Sequence, residues 1–219
     1  MYKRQDDGDK IAVGVSGGKD SLALLYALSG LRKFYPKKFD IVALTVNLGF
    51  ENQDFNLIKD FCKELDVECK IIDTEIGDIV FHKRKESNPC SLCAKMRKGS
   101  LNDVAKKMGC NKVAYAHHRD DMIETMLMSL IYEGRFHCFN PVTYLDRMGL
   151  NVIRPMMYVP EMDVIGFANK YNLPVAKNPC PVDGHTKREY IKTLVRQLNR
   201  ENPNCKDRLF TAVLNGGFD

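Results

Sequence analysis

Ile11-Ala12-Val13-Gly14-Val15-Ser16-Gly17-Gly18-Lys19-Asp20-Ser21 is the stretch that decides the fold of this chain. An apolar run ends in a glycine pair, and an apolar helical pattern over 21–31 follows at once. A buried strand that turns through glycines into a helix offers backbone N–H groups and a helix N-terminus to an anion. Gly17 and Gly18 let the backbone approach phosphate oxygens, Lys19 adds a point charge, and Ser16 and Ser21 supply hydroxyls. A Walker A loop is excluded. Three residues separate Gly14 from Gly18 where four are needed, and Asp20 follows Lys19 where Ser or Thr would hold magnesium. Ser16, Gly17, Gly18, Lys19, Asp20 and Ser21 are therefore candidate nucleotide-phosphate residues of another kind.

Outward from this loop, strand-like and helix-like segments alternate. Strands are expected over 10–15, 40–46, 68–72, 112–116 and 151–154. Helices are expected over 21–31, 52–65, 94–108, 121–131 and 160–171. This alternation predicts an α/β fold of Rossmann-like, doubly wound type, with a parallel sheet and helices on both faces. Ligands in such sheets lie beyond the carboxyl ends of the strands. The Ser16–Ser21 loop, the segment after Val46 and the segment after Ala116 then share one rim. Asn47-Leu48-Gly49-Phe50 would contact adenine through backbone groups, so Val46, Asn47 and Ala116 join the candidate nucleotide residues. The expected division is a nucleotide-binding domain over 1–175 and a C-terminal segment over 176–219 that carries a cysteine loop and a basic helix.

Ala116-His117-His118-Arg119-Asp120-Asp121 follows the fourth strand. Two histidines, an arginine and two aspartates at a strand end need partners or a polar cleft. Asp120 or Asp121 would hold Mg²⁺ beside the phosphates, with helix capping by Asp120 as the alternative. His117 and His118 read more readily as packing or hydrogen-bonding residues than as metal ligands.

The chain has eight cysteines, among which only Cys90 and Cys93 form a CxxC. Without export a disulfide framework is not expected, so clustered cysteines point to metal or catalysis. Cys62, Cys69 and Cys110 fall in apolar or turn positions and read as structural. Asn88-Pro89-Cys90-Ser91-Leu92-Cys93 places two thiols on one side of a metal, and Lys95, Arg97 and Lys98 favour thiolate. A redox dithiol lacks a thioredoxin-like context here. Cys180, in Asn178-Pro179-Cys180-Pro181, is the remaining candidate ligand. Three cysteines rather than four suggest an iron–sulfur cluster with one iron open to a small ligand.

The 219 residues carry a formal net charge of +5, a mild bias toward polyanions, and 44% hydrophobic residues suffice for a full core. No apolar run is long enough for a membrane span, and residues 1–7 lack the apolar core of a signal peptide, so a cytoplasmic enzyme without membrane partners is expected. Between 189 and 201, Ile191, Leu194, Val195 and Leu198 share a helical face, while Arg188, Lys192, Arg196 and Arg200 recur every four residues. This stripe, with His82-Lys83-Arg84-Lys85, reads as an RNA-facing surface or as a solvated face.

SGGKDS, PCSLCAKMRKG, AHHRDDMIETMLMSL, VIRPM and NPCP occur in this order over most of the chain. Together they resemble the tRNA 2-thiocytidine synthetases of the PP-loop ATP-pyrophosphatase superfamily. The resemblance implies ATP, Mg²⁺ and a 4Fe–4S cluster held by Cys90, Cys93 and Cys180. It implies a cytidine in the tRNA anticodon loop as substrate, a sulfur donor such as a cysteine desulfurase or free sulfide, and a homodimer. It places Asp121 at the catalytic rim and Arg97 near the nucleotide and cluster, with Lys19 offsetting charge on the departing pyrophosphate. Cytosine O2 would attack the α-phosphate of ATP, and sulfur would then displace AMP. A persulfide on Cys180 or Cys93 is the competing sulfur carrier. One departure stands out. Pro181-Val182-Asp183-Gly184-His185 replaces the second cysteine and glycine–serine pair expected after the third ligand. Another thiolated base or small molecule, a nitrogen-delivering PP-loop ligase, and a zinc-stabilised RNA-binding protein are the alternative functions.

Overall fold

Ile11, Ala12 and Val13 have no exposed surface, and they form the middle of β1 (Asp9–Gly14). A strand sealed on both faces needs helices above and below it. In the computed structural model, which describes residues 6–50, 53–84, 89–176, 180 and 186–216, those helices are present. β1 pairs in parallel with β2 (Phe39–Asn47) on one side and β4 (Lys112–Ala114) on the other. β3 (Glu68–Asp73) extends the sheet beyond β2, and β6 (Leu150–Ile153) extends it beyond β4, both in parallel. The six-stranded order is β3-β2-β1-β4-β6-β5. The expected doubly wound sheet is therefore observed, with the strand order reversing between β1 and β4.

β5 (Val142–Leu145) is the antiparallel edge strand, paired with β6 through a tight hairpin. The sequence pattern had not marked it. Its four residues alternate exposed and half-buried positions, too short a pattern to stand out. β4 ends two residues earlier than expected, and Tyr115 and Ala116 continue as loop.

One core layer packs α1 (Lys19–Arg32), α2 (Asn56–Glu64) and α6 (Glu161–Lys170) against the sheet through Leu22, Leu25, Ile58, Phe61 and Val164. On the other face α4 (Pro89–Lys107) covers Ala12, Leu44 and Val113 with Leu101 and Ala105. α3 (Ile76–Asp78) runs into a π-helical turn at Ile79–Lys83. α5 (Arg119–Glu133) is gripped by α7 (Lys187–Glu201) and α8 (Cys205–Asn215) through Ile123, Ile191 and Val195 and through Met122, Met126 and Val213.

C-terminal helices are expected from the sequence, but only the one over 189–201 has stated bounds; α8 adds a second, with Leu209, Phe210 and Val213 at helical spacing. α4 begins five residues earlier than expected, so Cys90 and Cys93 lie in its first turns rather than in a preceding turn. Pro89 is the first helical residue, where its fixed φ and missing N–H cost nothing. Among the described residues, no helix is long and apolar enough to cross a membrane. Residues 1–5, the expected helix start at Asn52, Lys85 of the basic run, Asn88, and the neighbours of Cys180 at 177–179 and 181–185 lie outside the described residues.

Candidate active site

Gly17 has φ +83°, and a Cβ there would stand 3.2 Å from Cβ of Ala176, so the turn into α1 requires glycine. Gly18 caps α1 without a side-chain hydrogen bond, which leaves first-turn N–H groups to an external acceptor. The loop is braced from within. Ser21 Oγ donates to the carbonyl of Gly18 at 2.9 Å and accepts from the N–H of Ser16 at 3.1 Å.

Above this loop, at the reversal of strand order, lies a cavity of about 440 Å³. Ser16, Gly18, Asp20 and Ser21 form its floor, with Val46 and Ala116 at the neighbouring strand ends. Ala94, Arg97, Lys98 and Leu101 line it from α4, and Asp121 lines it from α5. Those four α4 positions follow the i, i+3, i+4, i+7 spacing of one helical face. Gly17, Lys19 and Asn47 are expected site residues outside the lining. Asn47 instead shapes the loop after β2, donating to Asp73 Oδ1 and accepting from the N–H of Gly49, each at 2.9 Å.

Three lining residues carry buried polar atoms with no hydrogen-bond partner among the described residues: Thr45 Oγ1, Gln53 Oε1 and His117 Nδ1. Buried polar atoms are nearly always paired in native proteins. Their concentration around one cavity therefore calls for a polar ligand, and a nucleotide fits the glycine turn beside them. Burial, reinforced by positive Arg154, Lys98 and Arg188, pushes the His117 imidazole down to about 3, so it is neutral at physiological pH. Its ring lies against Phe139, 4.7 Å between centroids, and Arg154 covers that phenyl ring at 5.0 Å.

The two aspartates differ in role. Asp121 forms a capping box with His118 at the start of α5: its carboxylate accepts from the His118 N–H at 2.9 Å, and its own N–H donates to His118 Nδ1 at 3.2 Å. Its other oxygen lies 3.4 Å from Arg188 Nη1. Asp120 is buried and faces away. It accepts from Lys206 Nζ at 2.6 Å and from the N–H of Glu161 at 2.8 Å, and so pins α8 and α6 to α5. Capping thus falls to His118 and Asp121, not to Asp120. The lining carboxylates of Asp20 and Asp121 are the oxygen donors suited to magnesium.

Lys19 Nζ pairs with Asp20 at 2.9 Å and with Glu161 Oε1 at 3.1 Å. Burial works against its charge, but these two carboxylates outweigh that and raise its pKa. Glu161 Oε1 also accepts from Lys192 at 2.7 Å. Half of the expected RNA-facing stripe therefore has internal work: Lys192 holds Glu161, and Arg188 holds Glu124 at 3.0 Å and Asp121. Arg196 and Arg200 remain exposed.

Cys90 is exposed, Cys93 is buried beside Leu48, Ile76 and Val80, and Cys180 is half-buried. Burial pushes the Cys93 thiol up, the Arg97 charge opposes this, and the negative charges of Cys180 and Cys90 add to it. Cys90 and Cys93, one turn apart on α4, face the same side. Among the described residues no three His, Cys, Asp or Glu side chains are drawn to a common metal centre. The donor set, three thiols beside a guanidinium with hydrophobic backing, suits an iron–sulfur cluster.

The sequence profile of the PP-loop domain (ATP_bind_3) matches residues 1–199. The tRNA-cytidine(32) 2-sulfurtransferase of Geobacter sulfurreducens is 39% identical over 95% of this chain and 82% of its own length. The chain belongs to the PP-loop family, on the branch of these sulfurtransferases. The U34-tRNA thiolase NcsA from Methanococcus maripaludis, solved with its [4Fe-4S] cluster, is 26% identical and superposes with TM-score 0.81 over 98% of this chain and 74% of that one. The NH3-dependent NAD synthetase of Campylobacter jejuni shares the fold at TM-score 0.51 and 20% identity, over 97% of this chain and 85% of its own.

Within this PP-loop site, Thr45 and Gln53 carry no mark in the sequence, while Lys98 reads there only as a cation favouring thiolate and Arg188 only as part of the polyanion-facing stripe. The α4 face spacing from Ala94 to Leu101 was the available signal for Lys98. The stripe spacing marks Arg188 as a cation but not its partners Asp121 and Glu124, which lie on α5.

Proposed function

We propose that this chain is an ATP-dependent tRNA thiolase that replaces O2 of cytidine 32 in the anticodon loop with sulfur. One observation carries the reading: a single cavity joins the Ser16–Ser21 turn, the α4 face behind Cys90 and Cys93, and Asp121. The activity and base position follow the names of its relatives.

The α1 N-terminus and the glycine turn hold the ATP phosphates, and the ends of β2 and β4 flank the nucleoside. Asp20 and Asp121 hold Mg²⁺. Lys19, kept charged by Asp20 and Glu161, faces the growing charge on pyrophosphate. Cytosine O2 attacks the α-phosphorus, the bond to the β-phosphate oxygen breaks, and pyrophosphate leaves. Hydrosulfide then adds at C2, the C2–O2 bond breaks, and AMP departs with that oxygen as the sulfur loses its proton. Arg97 offsets charge on the adenylate, and Asp121 orients the reacting groups. Cys90, Cys93 and Cys180 would hold a 4Fe–4S cluster, which when bound would supply an open iron for the incoming sulfur. Free sulfide, or the persulfide sulfur of a cysteine desulfurase released as hydrosulfide by a thiol reductant, is the donor; the cytoplasm is the setting, and a homodimer is the working assembly. The segment 176–219 brings the third cysteine and Arg188 to the domain over 1–175.

Protein purified without oxygen tests this. About four irons and four acid-labile sulfides per chain are expected. So are RNA-dependent AMP and pyrophosphate release and 2-thiocytidine in digested tRNA. A colourless zinc protein, or AMP release indifferent to RNA, would overturn the reading.

A further inference from the structure

Arg97 and Lys98 stand side by side on the cavity face of α4, and among the described residues neither forms a hydrogen bond or ion pair with an acidic group. Elsewhere near the site, cations are matched. Lys19 and Lys192 share Glu161, Arg188 has Glu124, and Lys206 has Asp120. The α4 face is an exception, and its surroundings deepen it. Lys98 is solvent-accessible through the cavity, yet protein crowds its ammonium. Burial, with Arg154, Arg97 and Arg188 nearby, lowers its pKa. His117 lines the same region with Nδ1 buried and unpartnered. A phosphate oxygen beside that atom would select the tautomer with the proton on Nδ1, which makes it a donor.

We propose that Lys98, with Arg97 and His117, forms a second phosphate-binding wall of the cavity, separate from the glycine turn. The inference rests on the nucleotide reading of this cavity and extends it. Positive charges gathered without a carboxylate repel one another until an anion sits among them. Guanidinium, ammonium and a neutral N–H donor together match the oxygens of a phosphate ester. Two sources offer that group: the α-phosphate of ATP and the AMP that leaves, or the RNA backbone beside the reacting base.

Lys98→Met and Lys98→Arg, with wild type as reference, separate these sources. The probes are ATP, AMP and an unmodified tRNA transcript, with affinities read by titration over a range of salt. Loss of one charge-assisted contact weakens binding by about 10- to 100-fold. If the wall serves the adenylate, K98M weakens ATP and AMP and leaves tRNA affinity unchanged. If it serves the RNA backbone, K98M weakens tRNA, and its salt slope falls by about one. In either case K98R recovers most of the affinity. K98M affinities within twofold of wild type for all three probes would overturn the wall. So would K98R as weak as K98M, because charge would then not be the cause. Wild type that binds ATP and AMP but no RNA would defeat the tRNA reading, while the nucleotide arm still tests the wall.

Discussion

Arg188 and Glu124 are joined by an ion pair of 3.0 Å that ties the segment after the third cysteine to the helix carrying Asp121. Glu124 is almost fully buried, so its partner is the reason it can stay charged. Burial pushes its carboxyl above 4.5, Asp121 pushes the same way, and Arg188 opposes both. A carboxyl with a raised folded pKa contributes stability in acid and loses it as pH rises through that value. Arg188→Ala raises it further. Destabilisation of about 1–3 kcal/mol is expected at neutral pH, narrowing as pH falls toward 4.5. Urea midpoints at two pH values measure it. A deficit independent of pH would exclude Glu124 as the cause.

Asp120 has the opposite sign. Burial would raise its carboxyl, but Lys206, the Glu161 N–H and His118 outweigh burial and hold it below 3.8. Its stabilisation is present above 3.8 and disappears as pH drops through the folded value. Asp120→Asn costs about 1–3 kcal/mol at neutral pH, and the gap to wild type closes in strong acid. Thermal unfolding across the acid range shows whether the two curves converge.

Serine at Cys90, Cys93 or Cys180 removes a proposed cluster ligand, and each variant is expected to lose most of its iron. Cys138 is the control: its thiol donates to the carbonyl of Met122 at 3.6 Å inside a separate apolar cluster. Cys138→Ser retains iron. Full iron in a C90S, C93S or C180S protein that no longer thiolates tRNA would assign that cysteine to persulfide transfer.

Asp121→Asn keeps an oxygen to accept from the His118 N–H, so α5 stays capped. What it removes is the charge facing the cavity. AMP release should fall by about 10²- to 10⁴-fold with little change in the melting temperature. Unaltered turnover would relegate Asp121 to capping.

Gly17 and Gly99 predict opposite outcomes for one substitution. At Gly17 the positive φ and the nearby Ala176 make alanine strained, costing about 1–2 kcal/mol and raising the KM for ATP. At Gly99, on an exposed turn of α4, a Cβ meets nothing within 4 Å, so alanine adds up to about 1 kcal/mol of stability. Calorimetry on the pair gives both signs in one experiment.

The glycine turn, the central strands and the rim were legible because each follows from local chemistry: apolar β-branched runs, paired glycines, a proline before a cysteine pair. What escaped had a different origin. β5 is held by its hairpin partner, not by its own four residues. The cations of α7 looked like a solvent or RNA face because their spacing is regular. Spacing cannot reveal that Glu161 and Glu124 wait beneath two of them. Lys19 was legible as a loop cation, but its attachment to Glu161 depends on α6 folding back across the loop.

That attachment has a consequence for anyone recombining such proteins. One carboxylate, Glu161, serves a lysine of the N-terminal loop and a lysine of α7 at once. A chimera that imports either half from a relative with a different charge at any of the three positions inherits a mismatch. The three residues are best transplanted together, as a single heritable unit scattered across the chain.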